Sequence, residues 1–288
     1  MAYFTYGAEF TAAGQFGGDP VQSEAIGLSG GKFAIDAYDA LHPNTSHTQI
    51  FTDNGAAIIA DRDTSPAPDV VLADGRYVAG TSTSQGISAT FFDSSLAADG
   101  PTVVLNGEHI LACFSGFDSP TIEPLNSGGF VAVWDEFLPG SILTSAQIFN
   151  ADGTAASQRF FVDTANFSTA HAAADLADGR LAIALTSKGT TRVYLFSPDG
   201  TPQGTPTVVG PSVENGTLQI ASLPGGGFAV LRGENVSSGG AVVLHLQIFD
   251  AAGQPVSPDI TSFDHIAALD GAADMAILFH RRNSRRVG

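Results

Sequence analysis

Seven side chains able to do acid–base or metal-ligating chemistry recur at related positions in the 288-residue chain: Glu24, Asp69, Glu123, His171, Gln219, Asp264 and His265. Each stands two to five residues ahead of a leucine that opens a glycine-containing turn. Brought toward a common axis, two carboxylates with one displaced pKa could serve as general acid and general base. Two histidines with acids could hold a transition metal. The unequal offsets from the leucine also allow a plain reading, in which these groups line a water-filled polar channel.

Other chemical signals are thinner. Gly27-Leu28-Ser29-Gly30-Gly31 matches the Gly-x-Ser-x-Gly nucleophile elbow in letters, but that motif needs a strand-to-helix turn, and here it is one copy of a repeated turn. Asp-Gly turns such as Asp152-Gly153 and Asp199-Gly200 carry oxygen ligands. They lack the dense Asp-x-Asp-x-Asp-Gly spacing of a calcium loop, and Asp-Gly is also what a hairpin turn demands. A Ca2+ ion bridging neighbouring units is the cofactor these turns would allow. Cys113 is the sole cysteine, within the apolar run Ile110–Phe114, and reads as a buried, inert thiol. His245 alternates within a strand pattern and reads as structural, and Trp134 is the single tryptophan, in an apolar core run.

The elements that must position these residues are repeats. Leucine, a Gly-containing turn and an apolar run occur together at Leu28, Leu72, Leu125, Leu176, Leu223 and Leu269. Between them falls an alternating segment that ends in Phe and runs into a polar Gly turn, as at Gln49–Phe51, Thr90–Phe92, Gln147–Phe149, Tyr194–Phe196 and Gln247–Phe249. A sixth copy of this second element stands at the start, as Ala2-Tyr3-Phe4, while the last leucine element, Leu269 to Phe279, has almost no chain after it. A period of this size with short β-rich runs and no capped 3.6-residue pattern predicts four-stranded sheets stacked in a ring. The expectation is all-β: a six-bladed β-propeller forming a single domain over residues 1–288, closed by N-terminal strands pairing with the C-terminal blade, with an insertion around Val104 to Phe117 in the third blade. Closure removes the exposed strand edges that an open row would present.

The best-matching segments are Leu125-Asn-Ser-Gly-Gly-Phe-Val-Ala-Val-Trp134, Gln147 to Gly153 and Phe249 to Pro255. They resemble the propeller-type repeats of large secreted bacterial proteins of the hemolysin-type (RTX) calcium-binding class. The resemblance implies secretion and interaction at a surface, and supplies no catalytic residue. The glycine-rich nonapeptide calcium repeat of that class does not occur in this sequence.

Twelve basic against 29 acidic residues give a net charge of −17. Such a field repels phosphate backbones and anionic membranes, so nucleic acid is not expected as a partner. No apolar stretch reaches the ~18 residues of a membrane span. The first residues lack the basic and apolar regions of a signal peptide, so export would use another route, with a cytoplasmic location the other option. Arg281, Arg282, Arg285 and Arg286 form a basic tail, read as an exposed flexible end. The function expected is a non-enzymatic binding propeller, exported or surface-associated, whose ligand is a protein or carbohydrate surface. The alternative is a carbohydrate-active enzyme, a glycoside hydrolase or lyase working at the channel mouth.

Overall fold

A computed structural model describes residues 20–28, 32–39, 42–52, 56–64, 68–83, 86–106, 120–138, 141–164, 168, 170–212, 218–235, 241–261 and 266–267. They form an all-β propeller of five four-stranded antiparallel blades, with no helix among the described residues. Blade 1 is β1 (Pro20–Leu28), β2 (Lys32–Asp39), β3 (His42–Thr52) and β4 (Ala57–Thr64). Blade 2 is β5 (Val70–Val71), β6 (Tyr77–Thr83), β7 (Gly86–Phe92) and β8 (Val103–Asn106). Blade 3 is β9 (Thr121–Pro124), β10 (Phe130–Leu138), β11 (Ser141–Phe149) and β12 (Phe160–Asp163). Blade 4 is β13 (Ala170–Asp175), β14 (Leu181–Ser187), β15 (Thr190–Phe196) and β16 (Thr207–Pro211). Blade 5 is β17 (Leu218–Ser222), β18 (Phe228–Asn235), β19 (Ala241–Phe249) and β20 (Ile260–Thr261), with β21 (Ile266–Ala267) also paired to β19.

The two repeated sequence elements meet within each blade. The leucine turn joins the first and second strands: in blade 2 the Leu72 amide donates to the Arg76 carbonyl and the Gly75 amide to the Leu72 carbonyl. Gly75 has φ +88°, a left-handed value that glycine adopts without strain. The Phe that follows the turn then pairs directly with the Phe that ends the third strand. Phe33 faces Phe51, Phe130 faces Phe149 and Phe228 faces Phe249 in register, with ring centroids 5.3, 5.3 and 5.1 Å apart. Opposed aromatic pairs of this kind stabilise an antiparallel ladder through contact on one face of the sheet.

First strands of consecutive blades lie side by side, β1 by β5, β5 by β9, β9 by β13 and β13 by β17, so they form the inner wall. Both faces of blades 2, 3 and 4 are buried. In β10, Phe130, Ala132 and Trp134 pack toward blade 2 with Val78, Ile87 and Phe91. Val131 and Val133 point the other way, against Leu181, Ile183 and Leu185 of blade 4. Ala182 and Ala184 in turn meet Phe228 and Val230 of blade 5. This period-2 alternation with both sets apolar is why the chain is so poor in charge.

The structure meets one expectation in part and corrects two. Five blades are present among the described residues where six were expected; the segments that carry the sixth, Ala2 to Phe10 and Leu269 to Phe279, lie outside them, as do the closing pairing and the tail 281–288. Val103–Asn106 is not an insertion but the fourth strand of blade 2, and only 107–119 lies beyond it, outside the described residues together with Cys113. Finally, the repeat places the residues ahead of Leu269 in the first strand of a further blade, yet Ile266 and Ala267 pair with Val242 and Ala241 on the outer side of blade 5. The physical reason is that β19 has nine residues and β20 covers two of them, so the remaining backbone groups take a further partner.

Gly153 reports on how tightly blades abut. It has φ +81°, and a Cβ there would stand 3.1 Å from Val103 Cγ1 and 3.3 Å from Phe91 Cζ of blade 2. Gly153→Ala is expected to destabilise by about 1–2 kcal/mol, lowering the melting temperature by a few degrees in circular dichroism. An unchanged melt would show that the turn of blade 3 does not press on blade 2.

Candidate functional site

The seam between blades 3 and 4 brings together several titratable and polar side chains. Directly paired residues on antiparallel strands share a face. Thr121 and Glu123 of β9 pair with Val133 and Val131, and His171 and Asp175 of β13 pair with Leu185 and Leu181. All four apolar partners belong to the core between these two blades. Thr121, Glu123, His171 and Asp175 therefore enter one seam from its two walls.

Two polar groups form there, at opposite ends. At the end away from the leucine turns, Asp135 accepts hydrogen bonds from Thr144 Oγ1 at 2.7 Å and from Ser168 Oγ at 3.1 Å. His171 Nδ1 lies 2.6 Å from Thr121 Oγ1. Burial raises the Asp135 pKa, against the opposing pull of the His171 charge and of the Thr144 and Ser168 hydrogen bonds. Ser168 is bound to the carboxylate itself and His171 to a different hydroxyl, so these residues do not form a nucleophile–base–acid relay. They tie the second and third strands of blade 3 to the start of blade 4.

At the turn end, Asp175 Oδ2 accepts the Asn126 amide at 2.5 Å, across the seam. Glu123 shares this environment: burial, and then the charge of Asp175, pushes its carboxyl up to about 8. Beside them opens a cavity of about 740 Å³, lined by the turn Leu125–Gly129, Ile148–Ala151, Ala156, Asp175, Pro198 and the blade 2 residue Asp74. Asp74 itself is held below the usual carboxylate range, since the hydrogen bonds and charge of Arg76 outweigh the effect of its partial burial.

Of the seven sequence candidates, the structure brings Glu123 and His171 into one seam and places Glu24, Asp69 and Gln219 at the first strands of other blades. Glu24 lies in β1, paired with Asp36. The Asp69 carboxylate accepts the Gly80 amide at 2.6 Å within blade 2. Gln219 sits in β17 opposite Leu231, and Asp264 and His265 lie outside the described residues. The Gly-x-Ser-x-Gly match falls between β1 and β2, whose ends Leu28 and Lys32 pair, so a strand and not the helix of a nucleophile elbow follows it; Ser29 itself lies outside the described residues. The aspartates of the other turns are used locally: Asp152 Oδ1 accepts the amide and hydroxyl of Thr154, and Asp199 Oδ1 accepts the Thr201 amide.

Sequence reasoning missed Asp135, Ser168 and Asp175, and also a charged group in the seam of blades 4 and 5. There Arg232, 3% exposed, pairs with Asp259 at 2.7 Å and Glu234 at 3.3 Å and donates to the Pro211 carbonyl of blade 4. His245 bridges the same two acids, Nδ1 to Asp259 at 2.8 Å and Nε2 to Glu234 at 3.1 Å. The alternation around His245 was visible in the sequence; the acids 11 residues before it and 14 after it carried no local signal.

No family model matches the chain, and no curated protein sequence matches it. Among solved structures it shares its fold with a protein of unknown function from Dyadobacter fermentans, at a TM-score of 0.56 and 9% identity over 84% of this chain and 82% of that one. TolB from Acinetobacter baumannii aligns at a TM-score of 0.49 and 13% identity over 80% of this chain and 53% of its own. A glycosyl hydrolase from Bacteroides ovatus aligns at 0.40 and 9%, over 83% and 70%. These likenesses concern architecture, and the chemistry named for the neighbours differs from one to the next.

The raised pKa of Glu123 sets a sign for pH dependence. A carboxyl whose folded pKa lies above its unfolded value of 4.5 binds its proton more tightly in the fold, so its contribution is complete below pH 4.5 and is lost as pH climbs through about 8. Glu123→Gln removes that loss. Its melting temperature at pH 8 should exceed that of the parent chain, by roughly 2–3 kcal/mol in stability, and the two should converge toward pH 4. Parallel curves over pH 4–9 would refute the assignment.

Proposed function

We propose that the chain is a binding propeller, without catalytic activity, acting outside the cytoplasm or at a surface, and that it takes its ligand at the turn end of the seam between blades 3 and 4. The observation that carries this reading is the cavity of about 740 Å³, which falls in the size range of small-ligand sites. The use of polar side chains elsewhere supports it. Asp135, Ser168, His171 and Arg232 lie away from the cavity in ties between blades or within them, and the cavity wall itself combines apolar surface with the Asp74 carboxylate, which binds Arg76, and the Asp175 carboxylate, which accepts the Asn126 amide. The acidic balance of the whole chain favours a neutral or cationic ligand over an anionic one.

A second reading has its own observation. Glu123, whose carboxyl is pushed up to about 8 by burial and then by the charge of Asp175, is set against a second carboxyl that lines the cavity, a pairing that acid–base cleavage of glycosidic bonds uses. This supports a carbohydrate-active enzyme as the alternative.

A thermal-shift panel of amino acid esters, monosaccharides, disaccharides and short oligosaccharides separates the two. A binding propeller gives a shift with at least one probe class, lost in Ala156→Trp, which places an indole in the cavity from an exposed position. A shift that survives Ala156→Trp unchanged places the ligand elsewhere and defeats the reading. Release of reducing ends from the oligosaccharides, abolished by Glu123→Gln, would establish the enzyme instead.

A further inference from the structure

The cavity occupies a place that the chain fills with its own arginine in the blades on either side. In blade 2 the turn Leu72-Ala-Asp-Gly-Arg76 sends its arginine across to blade 3. Arg76 donates to the Ala151 carbonyl at 2.8 Å, pairs with Asp74 at 2.8 Å, and its guanidinium lies 5.4 Å from the centre of the Phe91 ring. Blade 4 repeats the arrangement: Arg180 of Leu176-Ala-Asp-Gly-Arg180 donates to the Ala251 carbonyl of blade 5 and pairs with Asp178 at 2.6 Å.

Blade 3 has the same turn with different chemistry. Its register is fixed by equivalent backbone bonds, Leu125 amide to Gly129 carbonyl and Gly128 amide to Leu125 carbonyl. Gly129 therefore stands where Arg76 and Arg180 stand. Counting from the third-strand phenylalanines, Pro198 corresponds to Ala151, Ile148 to Phe91, and Ala156 to Asp99, the second acid near Arg76 at 3.7 Å. The matching bonds Asp99 amide to Phe91 carbonyl and Ala156 amide to Ile148 carbonyl confirm that alignment. Ser127 replaces Asp74. Gly129, Ser127, Ile148, Ala156 and Pro198, the five positions equivalent to the arginine and its surroundings, all line the one cavity.

We infer that this cavity receives a guanidinium group, the arginine side chain of a partner polypeptide, in the place where blades 2 and 4 hold Arg76 and Arg180. The inference rests on the binding reading above and gives it a ligand class. A guanidinium is planar, stacks on apolar walls and donates to carbonyl and carboxylate oxygens together. The lining supplies the Asp74 carboxylate, which also binds Arg76, and the Asp175 carboxylate, which also accepts the Asn126 amide, and no lysine or arginine. Gly129 cannot hold an arginine of its own, because a Cβ there would collide with the Phe149 carbonyl, so the group must arrive from outside the turn.

Isothermal titration with N-acetyl-arginine methylamide, its citrulline analogue and the lysine analogue tests this on the full chain. The arginine compound should bind at least about tenfold more tightly than citrulline, which keeps the shape and loses the charge. Ser127→Asp with Ala156→Asp, both exposed positions, restores the two carboxylates of blade 2 and should tighten arginine binding by about tenfold while leaving citrulline unchanged. Arg76→Gly supplies the converse, a lower melting temperature restored by millimolar arginine compound. Equal binding of arginine and citrulline, no binding of arginine, or no gain in the double variant would each overturn the inference. If arginine is inert while a neutral probe binds and is lost in Ala156→Trp, the guanidinium assignment fails and the binding reading stands. If every probe leaves the cavity empty, both fail.

Discussion

Everything in this molecule depends on burying both faces of a blade, as blades 2, 3 and 4 do. A four-stranded sheet apolar on one side can stand on a helix layer or face water on the other; a sheet apolar on both sides has to be sandwiched. β14 shows the requirement in its barest form, since all seven of its residues, Leu181–Ser187, are buried. Odd positions face blade 3 and even positions face blade 5. Small residues take part as much as large ones: Ala182 and Ala184 leave the depth that Phe228 and Val230 fill from the next blade. A substitution in one blade is therefore felt in its neighbour, and no blade is an independent unit.

That constraint decides where polar groups can go. A charge entering a seam loses water on both sides and needs a partner from one of the walls. In blade 3, Glu136, 2% exposed, is met by Arg159, just before the fourth strand, and by Ser145 Oγ at 2.8 Å. Blade 5 makes a related pair with the signs exchanged: the residue just before its fourth strand is an acid, Asp259, and its second strand supplies the base, Arg232, at the position that Trp134 holds in blade 3. The two solutions differ in reach. Arg159 turns back over Phe161 of its own blade at 5.3 Å, while Arg232 continues to the Pro211 carbonyl of blade 4. The second is a tie between blades, and Gly210 accommodates it, because a Cβ at that position would stand 2.8 Å from the arginine nitrogen.

The sequence displayed the blade pattern openly, because its two repeated elements are the parts that touch: the leucine turn places one Phe and the strand-ending Phe is its cross-strand partner. It displayed the seam chemistry poorly. Glu123 and His171 were visible as polar residues of inner strands, but ring symmetry suggested a shared axis, whereas alternation along a strand sends them into the space between two blades. Asp135, Ser168 and Asp175 carried no signal, since each acquires meaning only from a residue on another strand. The replacement of Asp-Gly-Arg by Ser-Gly-Gly in the third turn was legible as letters. Its consequence was not, because the arginine acts on a carbonyl 75 residues away in the next blade.

The unequal energies of seams and turns explain why a site can open at this turn. Core residues such as Trp134 contribute several kcal/mol each, and removing one from a seam leaves a void between two blades that cannot collapse. The arginine straps are partly exposed and single, and pairs of that kind contribute about 0–1 kcal/mol. Losing one at blade 3 leaves the seam below it intact, with Val131, Val133, Ile183 and Leu185 still packed. In its place the Asp175 carboxylate, reaching back to the Asn126 amide, keeps the two blades registered. The turn end is thus the part of a blade that can lose a side chain and gain a cavity while the fold stands, and that is where a ligand site is opened at least expense to stability.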